Sequence, residues 1–369
     1  MSAPTIPFNA LDRQHDPVLA QEIADAIDRV TRSGWYVLGN EVAAFEREFA
    51  LYCGVAHAVG VGNGSDALEL ALAALRLPLG TRVAVAPNAA MYATLAILSH
   101  RCEPAFVDVD LSTSGIDPGA LGRELESGVG AVIVTHLYGR LGEIEAIVAQ
   151  ASAKGIPVIE DCAQAHGASR NGRRAGSFGS LACFSFYPTK NLGALGDGGA
   201  IVTTDAALAE RVRQLRQYGW AGKYDVEVAH GRNSRLDELQ AAVLRRKLPR
   251  LDAWNARRRE IARRYREGIA HAAIETPALR GDDDIAHLYV VRSGARDALR
   301  EHLAANGVRT DVHYPIPDHR QRLFDGRYDA LELPVAEALA VSVLSLPCFP
   351  ELRDDEVDAV VDACNRWQP

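Results

Sequence analysis

Of the 40 basic residues in this chain only four are lysines, Lys154, Lys190, Lys223 and Lys247. Arginine stays protonated and cannot act as an amine nucleophile, whereas a desolvated lysine can lose its proton and form a Schiff base. Lys154 and Lys247 fit the ends of helices, where a charge facing solvent or the helix dipole is the ordinary explanation. Lys190 lies in Phe184-Ser185-Phe186-Tyr187-Pro188-Thr189-Lys190-Asn191-Leu192-Gly193, which leaves an apolar strand and enters a segment holding Gly193, Gly196, Gly198 and Gly199. A lysine in such a loop is normally solvated. Here, however, the loop follows a strand end of an α/β pattern, where ligands bind. Ser185 and Thr189 supply hydroxyls, and the neighbouring aromatics can exclude water and lower an amine pKa.

Two further segments ask for a ligand of the same kind. Ile159-Glu160-Asp161-Cys162-Ala163-Gln164-Ala165-His166-Gly167 ends another apolar strand and offers a carboxylate and, three residues on, a carboxamide. A carboxylate against a pyridine nitrogen keeps it protonated and makes the ring an electron sink; the plainer reading is that Asp161 caps the following turn. Gly60-Val61-Gly62-Asn63-Gly64-Ser65-Asp66-Ala67-Leu68 is a glycine-rich turn opening a helix, which presents N–H groups to a phosphate at the positive end of the dipole. It fails the dinucleotide fingerprint, since Ser65 stands at the third glycine position, and it lacks the Gly-Lys-Ser/Thr of a P-loop. A phosphate, a ring nitrogen that wants a proton and a carbonyl that a lysine can trap describe pyridoxal 5′-phosphate.

The elements that must position these segments alternate. Apolar runs at Val83–Ala86, Pro104–Val107, Ala131–Thr135, Pro157–Glu160, Ala182–Phe186 and Ala200–Thr203 read as buried strands, and helix-period segments lie between them at Glu41–Leu51, Ser65–Leu77, Tyr92–Ser99, Leu141–Lys154 and Ala206–Tyr218. The expected fold class is α/β, a mostly parallel sheet covered by helices, with Ser65 and Asp66 as cap and first-turn acid of one helix. Beyond Asp237 a long Arg-rich helix, interrupted at Pro249, leads into a smaller α+β unit with a strand at His287–Arg292 and final helices near Pro334–Val341 and Asp354–Trp367. The spacing predicts a segment 1–20 packing on the small domain, a large cofactor-binding domain 21–244 and a small domain 245–369. With 369 residues, 48% of them hydrophobic, the chain is long enough for such a core, and a net charge of −8 argues against a partner held by bulk anionic charge, so neither nucleic acid nor membrane is expected. No apolar run approaches the roughly 18 residues of a membrane span, no basic or apolar leader opens the chain, and a cytoplasmic setting is expected. The six cysteines contain no CxxC pair, so free thiols and no metal are expected.

Over nearly its whole length the sequence resembles the pyridoxal-phosphate sugar aminotransferases of the DegT/DnrJ/EryC1/StrS type, which have the fold type I aminotransferase architecture. The three segments above carry the resemblance together with Gly39-Asn40-Glu41, Gly196-Asp197-Gly198-Gly199-Ala200, Asn233-Ser234-Arg235-Leu236-Asp237-Glu238-Leu239-Gln240-Ala241-Ala242 and His313-Tyr314-Pro315. The resemblance implies that Lys190 is the catalytic Schiff-base lysine and moves the proton between the substrate α-carbon and cofactor C4′. It implies that Asp161 pairs with the ring nitrogen, that Gln164 bonds the ring hydroxyl, and that Ser185 with the Gly64 and Ser65 backbone holds the phosphate. Asn233 matches the residue that the family sends into the neighbouring subunit's phosphate site, which implies a homodimer with shared active sites. The family usually places an aromatic on the cofactor ring where this chain has Met91, with Tyr92 one place along; either the Met91 thioether or Tyr92 covers the ring.

The implied substrates are an amino-acid donor, glutamate, and a nucleotide-linked keto-sugar. Lys223, Tyr224, Arg232, His313, Tyr314 and His319 lie in the segments where the resemblance puts substrate contacts, and Lys223 or Arg232 suits a diphosphate. The run from His313 to Gln321 looks most like members that aminate C-3 of a dTDP-3-keto-6-deoxyhexose. Amination at C-4 of a UDP- or dTDP-linked sugar, cyclitol amination, a cofactor-dependent sugar dehydratase and a non-catalytic relative are the alternatives. The dehydratase reading goes with loss of the lysine that Lys190 supplies.

Overall fold

The computed structural model describes residues 5–368. Its centre is a seven-stranded sheet ordered His57–Val61, Gly199–Thr203, Leu181–Ser185, Val158–Asp161, Ala131–Thr135, Arg82–Val85 and Glu103–Phe106. Gly199–Thr203 runs antiparallel to both of its neighbours, and every other pairing is parallel. The strand Ala131–Thr135, read Ala-Val-Ile-Val-Thr, is buried at every position, as a strand covered on both faces must be. Helices Asn40–Cys53, Gly64–Leu75, Tyr92–Ser99, Pro118–Glu126, Ile144–Ser152 and Ala206–Leu215 supply that cover.

The local chemistry of the helix ends is conventional except at the site. Asp16 caps helix Pro17–Ser33 through the Leu19 amide, with proline at the first position, and Gly34 closes it in the left-handed region. Helix Gly64–Leu75 is capped by Asn63, whose Oδ1 accepts from the Asp66 amide at 2.8 Å, and not by Ser65. An amide side chain at position 63 reaches the third helical N–H and leaves the Ser65 side chain exposed. The strands Val343–Leu346 and His57–Val61 and the helices 17–33 and 118–126 go beyond the elements read from the sequence.

The long helix is two, Glu238–Lys247 and Leu251–Gly268, joined by a tight turn at Leu248–Arg250 where Pro249 cannot continue the hydrogen-bond ladder. The first packs on helices 17–33 and 40–53. The second lends Ile261, Ala262 and Tyr265 to a separate apolar core with the two-stranded antiparallel sheet of Tyr289–Arg292 and Val343–Leu346, helix Asp354–Asn365, and Ile6 and Ala10. Of the segment 1–20, residues 1–4 lie outside the described ones, and Ile6 exchanges backbone hydrogen bonds with the chain around Val308. Phe324, Leu333, Ala336 and Leu339, which the sequence assigns to the small unit, pack into the main core instead. Among the described residues no helix is long and apolar enough to cross a membrane.

Candidate active site

The three chemistry-bearing segments end on one side of the sheet. Asp161 terminates the central strand 158–161, Ser185 terminates its parallel neighbour 181–185, and the turn Gly62–Gly64 follows the edge strand 57–61. A cavity of about 270 Å³ opens among them, lined by Asn63, Gly64, Ser65, Asp161, Ser185 and Lys190, with Tyr92, Tyr187 and Asp197 on its rim. A second cavity of about 340 Å³ shares Tyr92, Tyr187 and Lys190 with the first, and its wall includes Gln164, His287, His313, Tyr314 and Arg258. Lys190 therefore stands between a chamber floored by the sheet and one roofed by the smaller core.

The first chamber has the donors and the close approach that a phosphate requires. A Cβ on Gly64 would fall 2.7 Å from the Ser185 Cβ, so only glycine lets the helix start touch that strand end. The Gly64 and Ser65 amides have no acceptor among the described residues, because the Asn63 side chain and carbonyl serve the amides of Asp66 and Ala67. Two free N–H groups and the Ser185 hydroxyl at a helix N-terminus form an anion cradle.

Asp161 is buried, with one carboxylate oxygen accepting from the Ala163 amide at 3.1 Å and the other from the Thr135 hydroxyl at 3.2 Å. Burial pushes its carboxyl up from the ordinary value, against the pull of the Ala163 amide, Lys190 and Thr135. Burial likewise pushes the Lys190 amine down, against the attraction of Asp161. Both groups are thus held where a ring cation and a carbonyl would relieve their desolvation. The preceding residue, Glu160, fixes the framework: it accepts from the amides of Gly176, Phe178 and Gly179 and from His136 Nε2 at 2.9 Å. Although burial alone would raise it, these donors hold Glu160 below the usual carboxylate range. Taken together, the amide cradle, the buried carboxylate and the desolvated amine fit pyridoxal 5′-phosphate.

Gln164 points its Oε1 to the Tyr138 amide at 2.7 Å and its Nε2 to the Tyr314 hydroxyl at 3.2 Å, tying the sheet to the loop that carries His313. His313 bonds Ser345 Oγ through Nδ1 at 2.9 Å and stacks on Phe8 of the N-terminal segment. Burial lowers its pKa, opposed by Asp311, so the ring faces the second chamber neutral.

Other expected residues lie elsewhere. Met91 is buried in the main core and borders neither cavity, whereas Tyr92, half exposed, borders both. The reason is backbone: Met91 has φ 67° and sits just before helix 92–99, which turns its side chain inward and Tyr92 out. His319 is buried against Phe106, with Nε2 2.9 Å from Glu337, and borders neither cavity; the Glu337 pair and the aromatic shelf occupy it. Arg232 is 2.5 Å from Glu69 and 3.6 Å from Asp66, so acids of its own chain already take its charge. Lys223 and Tyr224 form the exposed tip of a short hairpin, the ammonium 5.1 Å from the ring centroid, and border neither cavity. Asn233 is exposed and likewise stands outside both, next to Ser234, whose hydroxyl donates to Asp66 and accepts from the Gly62 amide. Residues that sequence reasoning passed over are Tyr187, Arg258 and His287. Tyr187 lies inside the lysine motif, while Arg258 and His287 carry no local signature.

The model of the DegT/DnrJ/EryC1/StrS aminotransferase family matches residues 17–365. The chain is 47% identical over 363 residues to the dTDP-3-amino-3,6-dideoxy-alpha-D-galactopyranose transaminase of Aneurinibacillus thermoaerophilus, covering 98% of this chain and 99% of that one. It is 43% identical over 367 residues to the dTDP-3-amino-3,4,6-trideoxy-alpha-D-glucose transaminase of Streptomyces venezuelae, covering 99% and 96%. Among solved structures it is similar to S. venezuelae DesV in complex with a ketimine intermediate, with a TM-score of 0.95, 43% identity and 99% of each chain covered.

Proposed function

From the premise that the chain belongs to the DegT/DnrJ/EryC1/StrS aminotransferase family, we propose that it transfers an amino group to C-3 of a dTDP-linked 3-keto-6-deoxyhexose. The observation that carries the reading is the single cavity where Lys190 meets Asp161 and the free Gly64 and Ser65 amides; the C-3 position follows the names of its relatives. Bound pyridoxal 5′-phosphate supplies a trap for the donor's amine and an electron sink for its α-carbon.

What the chain itself does follows from the geometry. The Gly64 and Ser65 amides and the Ser185 hydroxyl hold the phosphate at the helix start. Asp161, oriented by Thr135 and the Ala163 amide, keeps the proton on the ring nitrogen. Tyr92, which borders both cavities, would cover the ring. Lys190, whose amine burial pushes down from its ordinary value against the attraction of Asp161, would move the proton between the substrate α-carbon and C4′ by its Nζ. Gln164 would bond the ring hydroxyl, and neutral His313 and the Tyr314 hydroxyl line the chamber that receives the sugar. Glutamate as donor, a homodimer in which Asn233 reaches the neighbouring phosphate site, and a cytoplasmic setting complete the proposal. The exposed placement of Asn233, outside both cavities of its own chain, supports the shared site.

The test is the visible spectrum of the protein loaded with pyridoxal phosphate. The Schiff-base band is expected to convert to the pyridoxamine form with glutamate and to return with a dTDP-3-keto-6-deoxyhexose. A band that no amino acid converts would sink the transaminase reading, and return with only 4-keto-sugars would move the position to C-4.

A further inference from the structure

Arg258 is a cation to which the site described above gives no task. It rises from helix Leu251–Gly268, is 5% exposed, and borders the second cavity beside Lys190, His287 and His313. Its Nη1 donates to the backbone carbonyls of His287, at 3.2 Å, and of Cys348, while its Nε finds no acceptor. Its neighbours on the helix are neutralised, Arg257 by Glu260 and Asp354 and Arg259 by Asp282. Arg258 has no carboxylate partner among the described residues. Glu351 acts on it only through space, and burial pushes that carboxyl up.

A guanidinium stays charged even when buried, and a buried charge without a counter-charge is costly. Two carbonyls orient the fork without neutralising it. Among the described residues nothing else on the cavity wall does so: the one acid bordering it, Asp311, lies 3.8 Å from His313 Nε2 and accepts from the Val312 amide. The charge is thus stored facing a chamber that a reactant must enter, next to the lysine at which the reacting amine arrives. A hexose ring brings no anion close to its carbonyl, since the diphosphate hangs beyond the anomeric carbon. An amino acid, in contrast, carries a carboxylate one bond from the reacting carbon and, if acidic, a second within the same chamber.

We infer that Arg258 anchors a carboxylate of the amino-acid donor by a charge-assisted hydrogen bond from its guanidinium. This rests on the transaminase reading and adds the group that selects the donor. Arg258 is a binding residue for one half of the reaction and not for the other.

The two halves separate in the spectrum of the cofactor-loaded protein, glutamate driving one and the keto-sugar the other. In Arg258→Met, which removes the fork and keeps its bulk, half-saturating glutamate is expected to rise on the order of a hundredfold, while the keto-sugar half changes by no more than about twofold. Arg258→Lys, which keeps a charge without the fork, falls between. As a readout free of turnover, glutarate, a dicarboxylate with no amine, should raise the thermal midpoint of the wild type and leave that of Arg258→Met unchanged. A glutamate response like the wild type's in either variant overturns the inference, as does a loss confined to the keto-sugar half, which would put a phosphate on Arg258. If Arg258→Met fails to fold, Arg258→Lys and the glutarate shift carry the test. A wild type that neither glutamate nor keto-sugar converts overturns the transaminase reading itself; a working wild type with unaffected variants overturns only the role of Arg258.

Discussion

Lys190 and Asp161 are pushed by burial in opposite directions, the amine down and the carboxyl up, and each draws the other back. That opposition gives separable predictions. Lys190→Ala should keep the fold but lose the Schiff-base band, with turnover down on the order of 10³-fold or more; a variant that transaminates at the wild-type rate would remove Lys190 from the chemistry. Asp161→Asn should retain cofactor and lose turnover, because an amide cannot hold a ring proton by charge. At Gly64 the argument is steric. A Cβ 2.7 Å from Ser185 must push the helix start from the strand end, so Gly64→Ala should weaken cofactor retention on dialysis with little change in folding. The sequence made Lys190, Asp161, Gln164 and the glycine turn legible, because each needs a residue type that packing alone does not explain. It left Met91 and Tyr92 undecided; the left-handed backbone at Met91 brings Tyr92, and not Met91, to the cavities. Tyr92→Ala is accordingly expected to loosen the cofactor, while Met91→Leu, a volume-conserving core change, is not.

At the scale of elements, helix Tyr92–Ser99 is held by a distant residue. No side chain caps it from its own sequence; Asp318, more than two hundred residues on, accepts from the Met91 amide at 2.9 Å and the Thr94 hydroxyl at 2.6 Å. Burial pushes the Asp318 carboxyl up to about 6, against those two donors. A carboxyl raised above its unfolded value binds more protons in the folded state, so its contribution to stability grows as pH falls through 6 toward 4 and is lost as pH rises through 6. Asp318→Asn should therefore remove a pH dependence of the order of 2–3 kcal/mol over that window, checked by denaturant unfolding at pH 4 to 7. Identical pH profiles would mean that the carboxyl titrates normally. Such a cap is invisible in a local window, as are the burial of His319 by Glu337 and Phe106 and the occupation of Arg232 by Glu69 and Asp66. The strands were legible because apolar runs without alternation mean burial on both faces.

At the scale of the whole molecule, two cores meet over Lys190. One brings the sheet ends and the other contributes the elements carrying Arg258, His287 and the His313 loop. If Asn233 completes a neighbouring phosphate site, mixing Lys190→Ala with Asn233→Ala protein should restore about a quarter of wild-type activity, since half of the randomly paired dimers are hybrids and each hybrid has one intact site. Reassociated mixtures with no recovery would place each site within one chain. The sequence by itself determined the α/β class, the strand-end loops and the residues whose chemistry the cofactor demands, because periodicity and rare residue types are local properties of the chain. Only the tertiary structure decided which charges are free. Arg232 and His319 met ionic partners within the fold, and Arg258, one of three consecutive arginines, met backbone carbonyls but no carboxylate among the described residues. Whether a charged side chain is solvated, paired or stored against a cavity depends on neighbours far away in sequence, and no spacing rule along the chain contains them.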